Sequence, residues 1–142
     1  MNKTDKEIRY DNFYMDVAVR TAEMSYARRK KVGCVIVKDG NIISLGWNGM
    51  PSGMDNNCEV EGDGVLHTRY EVSHAEENAL SKLAKRGGGA DGSTVYNTYE
   101  PCLQCAKLMY SCGVKFVKVL EKYRTSEGTD YLRDRGIDVE FL

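Results

Sequence analysis

His74, Glu76, Cys102 and Cys105 are the residues of this chain whose types and spacing carry chemistry, in the segments His74-Ala75-Glu76 and Pro101-Cys102-Leu103-Gln104-Cys105. One imidazole and two thiolates form a compatible three-ligand set for a catalytic zinc ion, leaving the fourth tetrahedral position to water. Zinc brings the pKa of that water near neutrality, so a nucleophile is available at physiological pH. Glu76 is left as a carboxylate free to move protons, and the set suffices to hydrolyse an amidine. Each segment also has a plainer reading by itself. Ser73-His74-Ala75-Glu76 has the form of a capping box, with Glu76 bonded back to the Ser73 backbone. CxxC alone fits a redox dithiol or half of a structural zinc site.

The spacing makes physical sense if each segment opens a helix. Ser73 caps a helix beginning at His74 and carried to about Arg86 by Ala75, Ala79, Leu80, Leu83 and Ala84. Pro101 suits a first helical turn, and Cys102 and Cys105 stand three apart, on one face of a helix that stops at Cys112 and Gly113. Two helix N-termini aimed at one point favour thiolate over thiol.

The other elements follow from period and punctuation. Residues 1–10 are charged and expected to fray, and a helix runs from an Asp11 cap to about Ser25 through Phe13, Val17, Ala18, Thr21, Ala22 and Met24. Val32–Val37 and Ile42–Trp47 read as a hairpin around Lys38-Asp39-Gly40-Asn41. Gly87, Gly88 and Gly89 stop the first ligand-bearing helix. Thr94–Tyr99 and Val114–Leu120 read as strands, Thr129–Arg135 as a short helix closed by Gly136, and Ile137–Leu142 as a last strand. Asn48–Val72 is a long irregular stretch, and loops of that length in compact domains are functional. The expected fold is α/β: a single domain over residues 1–142, a three-layer α/β/α sandwich on a mixed five-stranded sheet, with the site at the strand ends.

Composition sets limits on partners. The 142 residues include 20 Lys and Arg against 21 Asp and Glu, a net charge of -1. That balance argues against tracking a nucleic acid polymer, while a small substrate with one or a few phosphates is compatible. Five cysteines, an odd number, with no signal peptide and no membrane-length apolar run, point to a cytoplasmic protein without disulfides or membrane partners. Cys34 and Cys112 read as small core residues, and Cys58 and His67 lack an obvious ligand quartet for a second zinc. Asp55, Asn57 and Glu59 do not form a calcium loop, because Val60 stands where its glycine would be.

Together and in this order, the two segments match the HxE and PCxxC signature of zinc nucleobase deaminases. Over Asp16–Leu142 the chain resembles the cytidine deaminase superfamily, and within it the deoxycytidylate (dCMP) deaminases of cells and phages: KVGCVIV, IISLGWNGMPSG, SHAEENAL, YNTYEPCLQCAKLM and EKY carry the likeness. Gly46, Trp47, Asn48, Gly49, Met50, Pro51, Ser52 and Gly53 resemble the family's GxNGxPxG loop. The resemblance implies hydrolysis of dCMP to dUMP and ammonia, supplying dUMP for thymidylate synthesis. It implies zinc on His74, Cys102 and Cys105, with Glu76 as the proton shuttle. It also implies substrate contacts from Asn48 to the sugar, from the Ala75 and Cys102 backbones to the base, and from Tyr123 beside the nucleotide. Arg28, Arg29, Lys30, Lys31 and Arg124 are the candidates for the phosphate. Further implications are a homohexamer, location in the cytoplasm (the host's, for a phage protein), and allosteric activation by dCTP and inhibition by dTTP. The regulators would bind with Mg2+ at Gly46, Trp47, Gly49, Pro51 and Gly53. The alternatives are a deaminase of free (deoxy)cytidine or of tRNA adenosine.

Overall fold

The computed structural model describes residues 2–142. In chain order the elements are α1 (Asp5–Ala22), β1 (Gly33–Lys38), β2 (Asn41–Trp47), β3 (Glu59–Gly62), β4 (Val65–Thr68), α2 (Ala75–Lys85), β5 (Thr94–Tyr99), α3 (Leu103–Ser111), β6 (Phe116–Glu121), α4 (Glu127–Asp134) and β7 (Asp138–Phe141). The side-chain alternation of β1 separates the layers, since successive strand residues point to opposite faces. Cys34 and Ile36 join the larger core with Ala79, Leu80, Met109 and Leu132 from α2, α3 and α4. Val35 and Val37 join a smaller core with Tyr14, Met15 and Ala18 of α1. A strand buried on both faces reads as an unbroken apolar run, as Cys34–Val37 does.

The sheet has five strands in the order β2-β1-β5-β6-β7. β1 pairs antiparallel with β2 and β5, while β5–β6 and β6–β7 are parallel. This is the expected mixed sheet with helices on both faces. The C-terminal ends of β2, β5 and β6 and the N-terminal end of β1 therefore share one edge, with Gly33 opposite Trp47 and Tyr99 opposite Glu121. Gly46 seats α2 on this sheet: a Cβ there would lie 2.5 Å from Ala79 N and 2.7 Å from Ala75 O, so the helix backbone can approach only because there is no side chain.

Three expectations need correction. Residues 5–10 are not frayed: α1 begins at Asp5, capped by Thr4, whose Oγ1 accepts from Glu7 N (3.1 Å) while Glu7 returns a bond to Thr4 N (3.2 Å). This is a capping box, and Asp5 and Glu7 complement the positive helix end. Asp11 is then a buried mid-helix residue and not a cap. The long stretch after Asn48 contains the antiparallel pair β3–β4, turned by Asp63 and Gly64 with φ 53° and 75°. An Asp-Gly pair in that conformation closes a two-residue hairpin.

Asp11 ties the N-terminal turn to the sheet. Its carboxylate accepts from Lys3 Nζ (2.6 Å) and Tyr96 Oη (2.5 Å), with Lys118 Nζ at 3.8 Å. Burial works to raise the Asp11 pKa, but the bonds from Lys3 and Tyr96 and the charges of Lys118 and Lys3 outweigh it, so the net value falls below 3.8. A carboxyl that binds its proton less tightly when folded stabilises the fold above the unfolded pKa, and that contribution is lost as pH falls through the folded value. Asp11→Ala should cost about 2–3 kcal/mol at neutral pH by leaving the buried Tyr96 hydroxyl without its acceptor and removing a carboxylate from the cluster in which Lys3 and Lys118 keep only Glu140. Urea unfolding at pH 7 and pH 3 checks it: the deficit should shrink at the lower pH, and an equal deficit at both contradicts the charge assignment.

Candidate metal centre and substrate cleft

Two helix starts converge at the shared sheet edge. His74 is the N-cap of α2 and Cys102 the N-cap of α3, both with extended backbone, and Cys105 lies on the first turn of α3. The cap of α2 therefore falls one residue later than the sequence pattern places it, and α3 starts after Pro101 instead of including it in the first turn. Ser73 is not the cap; its backbone bridges to Gly49 instead, with N···O distances of 2.9 and 3.1 Å. Pro101 precedes the helix, where its missing N–H costs nothing.

The capping carboxylate of α2 is Glu77, whose Oε1 accepts from His74 N at 2.6 Å. That observation removes the bland reading of Glu76. Glu76 is instead buried and lines a cleft of about 450 Å³ shared with His74, Ala75 and Cys102.

The donor atoms fit zinc. His74 Nδ1 lies 3.3 Å from Cys105 Sγ and 3.6 Å from Cys102 Sγ, and all three atoms lie within 4.8 Å of one another. A tetrahedral ion with ordinary Zn–N and Zn–S bonds spaces such donors about 3.5 Å apart. Among the described residues this is the one cluster of three or more His, Cys, Asp or Glu donors suited to a metal. Cys58 is buried and turned to Asn56 O (3.6 Å), while His67 faces Gly62 O (3.3 Å).

Electrostatics favour ligation. Hydrogen bonds from Cys105 and His74 lower the Cys102 thiol to about 4, and the bond to Cys102 raises His74 to about 9. Cys105 is pushed up by its bond to Cys102 and by burial, so the metal-free triad is a thiolate, a thiol and an imidazolium. A bound cation displaces both remaining protons. Burial raises Glu76 to about 6, with the His74 charge pulling the other way; a metal's charge acts in the same sense as His74.

The cleft collects residues distant in sequence. Asn48, Ala75, Tyr123 and Arg124 all line it, as do Arg29 and Lys30 from the basic run; Arg28 and Lys31 do not. Asn48 is held by its own amide, with Oδ1 accepting from Val32 N (2.9 Å) and Nδ2 donating to Lys30 O (2.8 Å). Lys30 is already paired with Glu121 and sits 4.9 Å from the Tyr99 ring centre. Arg29 donates to Thr68 Oγ1 (2.9 Å), Arg124 stacks over the Tyr123 ring (5.1 Å), and neither has a carboxylate partner among the described residues. The Gly46–Gly53 stretch divides. Gly46 and Trp47 are occupied by packing, Trp47 beneath Lys82 Nζ (4.5 Å), while Pro51 and Gly53 are exposed.

Two acidic wall residues were not legible beforehand. Glu59 of β3 is buried, and its Oε2 accepts from Arg28 N (2.8 Å) and Arg29 N (3.0 Å). Glu100, also buried, accepts from Tyr123 N (3.0 Å) and Thr129 Oγ1 (2.5 Å). The Glu immediately before Pro101 and Cys102 was the available signal for Glu100; Glu59 had none beyond its position in a long loop.

Residues 8–121 match the family described as the cytidine and deoxycytidylate deaminase zinc-binding region. The chain belongs to that family. It is 32% identical over 137 residues to mouse deoxycytidylate deaminase, covering 92% of this chain and 76% of the mouse protein. It is 30% identical over 165 positions to the deoxycytidylate deaminase of Enterobacteria phage T2, covering 88% of each. Its structure is similar to that of the dCMP deaminase from cyanophage S-TIM5 in complex with dCMP and dUMP. There the TM-score is 0.89 and the identity 41%, over 99% of this chain and 100% of the other.

Purified protein should contain about one zinc per chain, because the three donors form a complete tridentate set. Cys102→Ala should lose most of that zinc together with activity, measured by elemental analysis and turnover. Full activity in metal-free protein would sink the assignment.

Proposed function

We propose that this chain hydrolyses dCMP to dUMP and ammonia, supplying dUMP for thymidylate synthesis. The observation that carries this reading is the composition of one cleft: a buried carboxylate free of the helix-capping bond beside three zinc donors, with the guanidinium groups of Arg29 and Arg124, neither paired with a carboxylate among the described residues, in the same lining. Zinc held by His74, Cys102 and Cys105 supplies the Lewis acidity that makes water a competent nucleophile near neutral pH.

The protein's own residues do the rest. Glu76 takes one proton of the attacking water and delivers it to N3 as the oxygen bonds to C4 of the cytosine ring; it then takes the second proton from the new C4 hydroxyl and passes it to the amine, so that the C4–N bond breaks, ammonia leaves and the C4 carbonyl forms. Burial, by raising its pKa, suits it to carry a proton at neutral pH. Ala75, on the first turn of α2, offers a backbone N–H that no helical carbonyl claims, fitted to a pyrimidine edge. Tyr123 flanks the nucleotide. Asn48, fixed by its two backbone bonds, keeps one N–H and one lone pair free for a sugar hydroxyl. Arg29 and Arg124 bind the phosphate by charge-assisted hydrogen bonds.

Glu76→Gln preserves size and leaves the ligands untouched, so zinc content should stay while turnover falls by roughly 100-fold or more. A variant with near-normal turnover contradicts the shuttle role.

The same reading includes feedback control and a homohexamer located in the cytoplasm. dCTP would activate and dTTP inhibit, with Mg2+, at the loop carrying Gly49, Pro51 and Gly53 and bordered by Gly46 and Trp47. The exposure of Pro51 and Gly53 supports this, and the Gly49–Ser73 bridge connects the loop to the residue before His74. Coupling of two sites requires that each ligand tighten the other. Saturation curves with dCMP and with deoxycytidine, each repeated with dCTP and with dTTP, test the reading as a whole. dCMP should be strongly preferred, and dCTP should shift its curve to lower concentration. Equal turnover of the two substrates moves the assignment to a nucleoside deaminase, and curves indifferent to bound triphosphate leave an unregulated enzyme.

A further inference from the structure

The Tyr123–Arg124 wall of the cleft belongs to the connection between β6 and α4, and Glu100 secures that connection at both ends. Its backbone N donates to Glu121 O at 2.8 Å, where β6 ends. One carboxylate oxygen accepts from Tyr123 N (3.0 Å) and the other from Thr129 Oγ1 in the first turn of α4 (2.5 Å). Glu100 is 4% exposed and Thr129 2%, so neither bond has water as a ready substitute. The Tyr123 ring is held separately, edge-on to Tyr99 at 5.2 Å.

The same residue is joined through Pro101 to the ligand Cys102. α4 is packed hard against that joint: a Cβ on Gly128 would lie 2.2 Å from Pro101 O and 2.9 Å from Cys102 O. The carboxylate bonds a backbone N–H beside Arg124 and leaves the guanidinium uncommitted. A carboxylate elsewhere on this wall would pair with the arginine and withdraw it from a phosphate.

We infer that Glu100 is a positioning residue for substrate: its carboxylate fixes the Tyr123–Arg124 segment against the Cys102 loop, so that the arginine meets the phosphate while the base meets the metal centre. This rests on the dCMP reading above. The role requires an acceptor toward Tyr123 N and a polar partner toward Thr129 Oγ1, and it does not require charge. Glutamine meets both needs, its carbonyl oxygen accepting from Tyr123 and its amide donating to the threonine hydroxyl. Alanine meets neither.

The test is zinc content together with KM and kcat for dCMP and for deoxycytidine, in wild type, Glu100→Ala, Glu100→Gln and Thr129→Val. Glu100→Ala should keep its zinc and its kcat within about threefold, while KM for dCMP rises roughly tenfold or more, the scale of a lost buried hydrogen-bond pair. Deoxycytidine, lacking the phosphate, should be turned over as before. Glu100→Gln should restore the KM, and Thr129→Val, which removes one of the two bonds, should fall between. Should Glu100→Ala fail to fold or to hold zinc, the contrast between the other two variants decides, since neither removes side-chain volume. An unchanged KM in Thr129→Val, a Glu100→Gln variant as impaired as alanine, or equal losses on both substrates would overturn the positioning role. A wild-type enzyme that does not prefer dCMP fails on its own control, and that outcome strikes the substrate reading instead.

Discussion

One constraint governs the site: the imidazole of His74 and the sulfurs of Cys102 and Cys105 are held with their donor atoms within 4.8 Å of one another, close enough to share one cation, without collapsing onto one another. The fold meets it with helix starts. An N-cap residue has extended backbone and a side chain at the exposed donor end of a helix, and both His74 and Cys102 are such residues. Placing the two caps face to face brings ligand atoms together from opposite sides. It also sets the positive ends of two macrodipoles on the thiolates. The sheet edge fixes where those caps lie, because β5 ends at Tyr99, three residues before Cys102, and β2 receives α2 at Gly46, where backbone touches backbone.

Helix capping and the cleft draw on neighbouring acidic residues, and the chain separates the two by position. Glu76 and Glu77 are adjacent on the first turn of α2 and differ in direction. Glu77 closes back on His74 N and stabilises the helix start. Glu76, about 100° further round the helix, faces the cleft and is buried without that bond. Had Glu76 been the capping residue, the metal centre would have had no uncommitted carboxylate. Sequence spacing alone leaves both options open, since the local pattern SHAEE fits either. The one-residue shift of the cap from Ser73 to His74 decides it.

The strands of the five-stranded sheet, the order of the helices and the residues that form the His-Cys-Cys cluster were legible in the sequence because each has a local signal. An apolar run marks β1, β-branched and aromatic residues mark β5, the turn at Asp39 and Gly40 marks the hairpin of β1 and β2, and the metal-donor residues come in short motifs. The start of α1 was misread although Thr4 and Glu7 form a capping box, because charge in the first turn resembles a solvated tail. β3 and β4 were missed for a different reason. They alternate Glu59, Val60, Glu61 and pair with residues almost all partly or fully exposed, so there is no hydrophobic period to detect, only the Asp63-Gly64 turn. The cleft walls were illegible on principle: Glu59 to Arg28 and Arg29, and Glu100 to Tyr123 and Thr129, join segments that no local pattern relates.

Those two carboxylates share a design that leaves guanidinium groups available in a cleft whose lining also holds acidic residues. An arginine intended for an anionic ligand must be positioned, yet an acidic neighbour is the group most apt to neutralise it. Glu59 accepts from the backbone of Arg28 and Arg29, and the side-chain ion it meets is Arg28, at 3.5 Å, outside the cleft lining. Glu100 accepts from the backbone of Tyr123, one residue before Arg124. In both cases a buried anion holds the main chain beside an arginine and leaves that arginine's own head unclaimed by a carboxylate. The lining of the cleft balances Arg29, Lys30 and Arg124 against Glu59, Glu76 and Glu100, so a small anionic ligand would be held there by directed hydrogen bonds from guanidinium groups and not by a net positive field.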